Sequence, residues 1–101
     1  MPRVKAKDVR AGMEGITLEV KVISVGEPEE VKTRFGTAAR AVATVEDETG
    51  RVALKLWRGQ VDLVRPGDTI LIENGFVAEF GGRVEVNVGS KGRIVVLKRG
   101  R

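Results

Sequence analysis

Residues 45–57 read V-E-D-E-T-G-R-V-A-L-K-L-W, and the fold is decided in that run. Asp47-Glu48-Thr49-Gly50 is a tight turn, built from residues that bond their own backbone or accept positive φ. After it, Val52, Leu54 and Leu56 alternate with Arg51, Ala53, Lys55 and Trp57. A period of two marks a strand with one buried face. Outward on the N-terminal side, residues 37–46 continue extended, although Ala38, Ala39, Ala41 and Ala43 are poor strand formers. Residues 26–36 (G-E-P-E-E-V-K-T-R-F-G) read as a loop, punctuated by Gly, Pro and a charge run. Residues 15–25 alternate again, with Ile16, Leu18, Val20 and Val22 set against Thr17, Glu19 and Lys21.

On the C-terminal side, residues 58–64 predict a short helical turn, ended by Arg65-Pro66-Gly67-Asp68. Residues 69–80 are extended, and Gly81-Gly82 supplies a two-residue hairpin turn. Residues 83–88 return, with Val84, Val86 and Val88 opposite Arg83, Glu85 and Asn87, and residues 94–97 are a last apolar run. Asn74-Gly75 is itself a strong hairpin signal. A second hairpin there would leave strands of only about five residues, so the pair is read as a bulge in one long strand. Five strands, with one short helical turn between the third and fourth, predict an all-β, five-stranded OB-fold barrel. An SH3-like barrel fits the long first strand less well. Residues 1–101 show no internal repeat and are expected to form one domain with short basic ends.

The chain has 101 residues, 18 Lys+Arg, 14 Asp+Glu, and neither Cys nor His. Those absences remove disulfides, thiol nucleophiles, imidazole bases and the usual zinc ligands together. No Gly-rich phosphate loop ending in Lys-Ser/Thr appears. Glu46-Asp47-Glu48 reads as a solvated turn, so no enzyme activity, cofactor or metal is expected. No apolar run approaches the roughly 20 residues that span a bilayer, and no signal peptide opens the chain; a soluble cytoplasmic protein is expected. The net charge of +4 is uneven: residues 1–10 carry +3, residues 91–101 carry +5, and the stretch between them −4. Basic ends suit nucleic acid and also serve as ordinary solubilising ends.

Val, Ile, Leu and Ala fill every interior position that the alternation assigns, so the core needs no aromatic. Trp57 falls on the charged face with Lys55 and is expected to be exposed. Phe80 abuts the Gly-Gly turn, Phe35 lies in the first loop, and Phe76 shares the parity of Ile70 and Ile72 unless the bulge intervenes. These rings are interleaved with Lys32, Arg34, Arg40, Lys55, Arg58 and Arg83, with Asn87 nearby. Rings that stack bases beside cations that track phosphates are the pattern of a single-strand binder.

The run at 45–57, then G-D-T-I-L-I-E-N-G-F-V-A-E-F-G-G (67–82) and V-N-V-G-S-K (86–91), closely resembles the archaeal single-OB-fold ssDNA-binding proteins. They are related to OB domains of replication protein A. K-D-V-R-A-G-M-E (7–14) and T-R-F-G (33–36) also look like that family. The resemblance implies base stacking by residues matching Trp57, Phe76 and Phe80. It also implies a nucleoid-associated monomer that protects ssDNA in replication, recombination and repair. The position of Phe76 is often Trp or Tyr in that family, and the usual long recruitment tail is not seen after Arg101. Two alternatives remain open: an OB subunit that binds replication or repair proteins, and an RNA-binding module.

Overall fold

In the computed structural model, which describes residues 3–100, a 3-10 turn at Ala6–Asp8 precedes seven strands. These are β1 (Ile16–Val25), β2 (Glu29–Thr33), β3 (Gly36–Asp47), β4 (Gly50–Trp57), β5 (Thr69–Phe80), β6 (Arg83–Asn87) and β7 (Arg93–Lys98). The helical turn α1 (Gln60–Leu63) lies between β4 and β5. Pairing runs β1-β3-β4-β6-β5 and returns to β1, which closes a five-strand sheet. All neighbours in the ring are antiparallel except β4 and β6, which are parallel through Ala53–Glu85 and Leu54–Val86. This ring is the expected OB arrangement.

Two strands lie off the ring. The stretch expected to be a loop contains β2, which forms a hairpin with β3 around Arg34-Phe35. The Thr33 hydroxyl donates to the Gly36 carbonyl (2.7 Å) and accepts from the Phe35 N–H (3.1 Å). β2 buries no residue, so no apolar alternation marks it. The last apolar run becomes β7, on the edge of β5 opposite β1, which β6 leaves free between Thr69 and Glu73.

Inside the ring the buried cluster is aliphatic throughout, including Leu18, Val22, Leu54, Leu56, Ile70, Ile72 and Val86. Burying each such side chain contributes about 1.5–3 kcal/mol. Ala38, Ala41 and Ala43 are buried despite their low strand propensity; their small side chains fit the interior, and packing overrides preference.

The three-carboxylate turn is committed to structure. Asp47 accepts from the N–H groups of Thr49 (2.7 Å) and Ala6 (2.8 Å), Glu46 pairs with Arg51 (2.9 Å), and Glu48 pairs with Lys5 (2.7 Å). The basic ends are likewise engaged: Arg3 with Glu19, Arg93 with Glu73, and Arg99 with Asp68. That pairing leaves less free charge for phosphates than the sequence count suggests. Arg101 lies outside the described residues. Among the described residues, no helix is long and apolar enough to cross a membrane.

Candidate nucleic-acid interface

None of the four aromatics enters the aliphatic core. The bulge explains Phe76. Ile16 faces Gly75 and Leu18 faces Ile72, so an interval of two residues in β1 spans three in β5. The extra residue reverses the alternation: Ile70 and Ile72 point inward, then Phe76 emerges, 42% exposed, beside buried Val77. Asn74 carries the left-handed backbone of the bulge (φ 56°), a conformation Asn tolerates better than most residues. At the far end of β5, Gly81 and Gly82 turn the hairpin with φ of 59° and 79°. Their missing Cβ atoms make that turn possible, and Phe80 beside it is 64% exposed.

Trp57 closes β4 on the same outer face. The sequence predicts an exposed indole, but the structure holds it half-buried. Its Nε1–H donates to Asn87 Oδ1 (3.4 Å), and the Arg40 guanidinium and Lys55 ammonium each stand 5.9 Å from the ring. Its backbone N–H donates to Gln60 Oε1 (3.0 Å), while Gln60 Nε2 donates to the Val88 carbonyl (2.9 Å). The next residue, Arg58, adopts φ 55°. A non-glycine residue held there stores of order 1–3 kcal/mol, which is the kind of strain found at functional sites. Between Trp57 and Phe76 runs a groove of about 440 Å³, floored by Asn87 and Val88 and bounded by Arg58, Gln60, Gly89 and Ser90.

Beneath this face lies a charged layer. Glu85 is 1% exposed and Lys55 is 9% exposed. Lys55 Nζ lies 2.9 Å from Glu85 Oε1, and Arg83 Nη2 donates to Oε2 at 3.0 Å. Oε1 accepts no well-directed hydrogen bond, so it depends on the Lys55 charge. Burial alone pushes the Glu85 carboxyl up, but Lys55 and then Arg83 outweigh it and hold the group below the usual carboxylate range. The Lys55 ammonium also lies 4.9 Å from the Phe80 ring, within cation–π distance.

The structure thus brings together Trp57, Phe76, Phe80, Arg40, Lys55, Arg58, Arg83 and Asn87. It sets Lys32, Arg34 and Phe35 apart on the β2–β3 hairpin, where Phe35 is 84% exposed beneath the Arg34 guanidinium. The cations also divide. Lys55 and Arg83 are balanced by Glu85, and Arg40 by Glu29, whereas Arg58 lines the groove without an acidic partner among the described residues. Sequence reasoning missed Gln60, Ser90, Lys91 and the buried Glu85. The G-S-K-G run at 89–92, which joins β6 to β7, was a legible signal for Ser90 and Lys91. Nothing in one dimension marked Glu85.

The family described as single-stranded DNA binding protein Ssb-like, OB fold, matches residues 9–96. The chain is 34% identical to the single-stranded DNA binding protein Ssb of Saccharolobus solfataricus over 90 residues, 89% of this chain and 61% of that protein. It therefore spans about three fifths of that relative's length. The OB domain of a Thermoplasma acidophilum protein superposes with a TM-score of 0.85 at 24% identity, covering 96% of this chain and 88% of the other. The second OB-fold domain of replication protein A from Methanococcus maripaludis superposes with a TM-score of 0.78 at 20% identity, covering 98% of each. Both likenesses support the fold.

Proposed function

The chain belongs to the Ssb-like OB-fold family of single-stranded DNA binding proteins, and from that premise we propose that it binds ssDNA with little sequence preference. Bases stack on Trp57, Phe76 and Phe80, Arg58 contacts phosphate, and Asn87 holds the indole. Lys55 and Arg83 reinforce the floor of the site, with Arg40 at its margin. Lys32, Arg34 and Phe35 form a separate finger that extends contact with the strand. One observation carries this reading: the bulge at Asn74-Gly75 turns Phe76 out of a core that has no need of it, onto the groove that Trp57 lines.

The single module acts as a monomer that covers ssDNA during replication, recombination and repair, in the cytoplasm beside the nucleoid. Replication and repair proteins are its expected partners. It works by binding, with no catalytic step, metal or cofactor. The test is a fluorescence titration of Trp57 with oligo-dT, oligo-U and duplex of equal length across a salt series. Strong quenching by oligo-dT and weak response to duplex are expected, because a duplex hides its base faces. Equal affinity for duplex would overturn the stacking mechanism. Tighter binding of oligo-U would move the RNA-binding alternative ahead.

A further inference from the structure

Beyond Phe76 lies a second groove, of about 370 Å³, walled by residues 12–15, 74–77 and 89–92. It shares Phe76, Gly89 and Ser90 with the Trp57 groove, so one surface runs continuously past that ring. Its volume falls in the range of small-ligand sites, roughly 300–1,000 Å³. Both walls are fastened to β5. The Gly12 N–H donates to the Val77 carbonyl and the Val77 N–H to the Met13 carbonyl, each at 2.9 Å. On the other side Asn74 Nδ2 donates to the Lys91 carbonyl (3.1 Å). A Cβ at Gly92 would lie 2.6 Å from the carbonyl oxygens of Glu73 and Asn74, so the 89–92 loop sits directly on the bulge. The groove is therefore preformed, with flat peptide walls and one aromatic partition.

Its two charged side chains have opposite signs. Glu14 and Lys91 line the groove, and neither forms an ion pair among the described residues. A free carboxylate repels phosphate and accepts hydrogen bonds from the N–H groups of a base; an ammonium does the reverse. A nucleotide entering past Phe76 therefore places its base toward Glu14 and its phosphate toward Lys91. We infer that this groove is a nucleobase subsite that selects guanine, whose adjacent N1–H and N2 amino donors match the two oxygens of the Glu14 carboxylate. Thymine offers a single N–H there, and adenine and cytosine a single amino group. The inference rests on the ssDNA-binding reading above and adds one selective position to an otherwise sequence-tolerant surface.

The test titrates the full chain, by Trp57 fluorescence, with an all-dT oligonucleotide and with the same oligonucleotide carrying dG at each position in turn. At one position dG should tighten binding about tenfold, the scale of a two-point contact to a base edge. Inosine there, which lacks the N2 amino group, should lose most of the gain. Glu14→Ala should bring the dG and all-dT oligonucleotides to the same affinity. Equal binding of both by the parent protein overturns the guanine subsite while leaving the stacking mechanism standing. So does a dG preference that survives Glu14→Ala. Failure of every oligonucleotide to bind would instead remove the ssDNA reading, and the subsite with it.

Discussion

Glu85 and Asp68 are equally buried, each 1% exposed, yet they are balanced in different ways. Asp68 follows the Pro66-Gly67 turn, and its oxygens accept from the backbone N–H groups of Arg65 (3.0 Å) and Gly100 (2.9 Å) and from Arg99 Nη1 (2.8 Å). Gly100 is pressed so closely onto Gly67 that a Cβ would stand 2.3 Å from its carbonyl carbon. Among the described residues, Glu85 is balanced only by the side chains of Lys55 and Arg83. Backbone donors stay where the fold puts them, whereas long cationic side chains can exchange one anion for another. Asp68 therefore fastens the C-terminal segment to the turn before β5. Glu85 holds the buried Lys55 and the outer Arg83 beside the face that carries Trp57 and Phe80.

The largest expected difference is in stability. Asp68→Ala leaves the Arg65 and Gly100 N–H groups without an acceptor, while Arg99 keeps the Leu63 carbonyl, and should cost about 2–4 kcal/mol, the scale of two unpaired buried donors. A lower urea midpoint would report the loss, while ssDNA affinity of the folded protein is retained. A midpoint as high as the parent's would end the distinction from Glu85.

Binding should show the opposite sensitivity. Trp57→Ala, beside the Glu85 layer, should weaken ssDNA binding by about 1–3 kcal/mol while lowering the melting temperature less than Asp68→Ala, since the indole is only half-buried. Adding Phe80→Ala should erase most of the preference for single strands over duplex. If the double variant keeps that preference, stacking on this face is not the mechanism.

Glu85→Gln sharpens the comparison further. With its counter-charge gone, Lys55 and Arg83 become available to phosphate, and affinity at low salt should rise. The slope of log affinity against log salt, about −0.7 for each phosphate contact on a single strand, should steepen by about 0.7–1.4. An unchanged slope would mean that the two cations never reach the strand.

The smallest effect is the response to acid. Burial pushes both carboxyls up, but hydrogen bonds and charges hold both below their ordinary range: Gly100, Arg65 and Arg99 for Asp68, Lys55 and Arg83 for Glu85. A depressed folded pKa contributes stability that is fully present above the unfolded value, near 4. That contribution is lost as pH falls through the folded value. The melting temperature should therefore hold down to about pH 4 and fall below it. Asp68→Asn should flatten that acid limb, and a limb unaltered by the substitution would assign the acid response to other groups.

β1, β4 and β6 were legible because each carries a clean alternation, and the Asn74-Gly75 bulge of β5 because a second hairpin would have left strands too short; β3, rich in Ala, read only as extended. β2 was not legible, since Glu29-Glu30-Val31-Lys32-Thr33 has one apolar residue and no buried face to reveal. The aromatics of the interface were legible for a related reason: an aliphatic core had no vacancy for them. Their cationic neighbours were harder. Lys55, Arg83 and Arg40 read as phosphate ligands until the carboxylates facing them, Glu85 and Glu29, are brought in from other positions in the fold. Alternation tells which face a side chain takes, but not which opposite charge will meet it there.

Closure of the ring has a consequence for how the chain reaches this shape. Ile16 of β1 must find Gly75 of β5, so the contact that seals the sheet joins positions more than half the chain apart. The β2–β3 and β5–β6 hairpins, turned by two residues each, need no such search and can form within microseconds. On a ribosome the first strand waits unsealed until the fifth has emerged. Of the pairings in the ring, the β1–β5 seam closes the longest stretch of chain and so carries the largest loop-closure entropy.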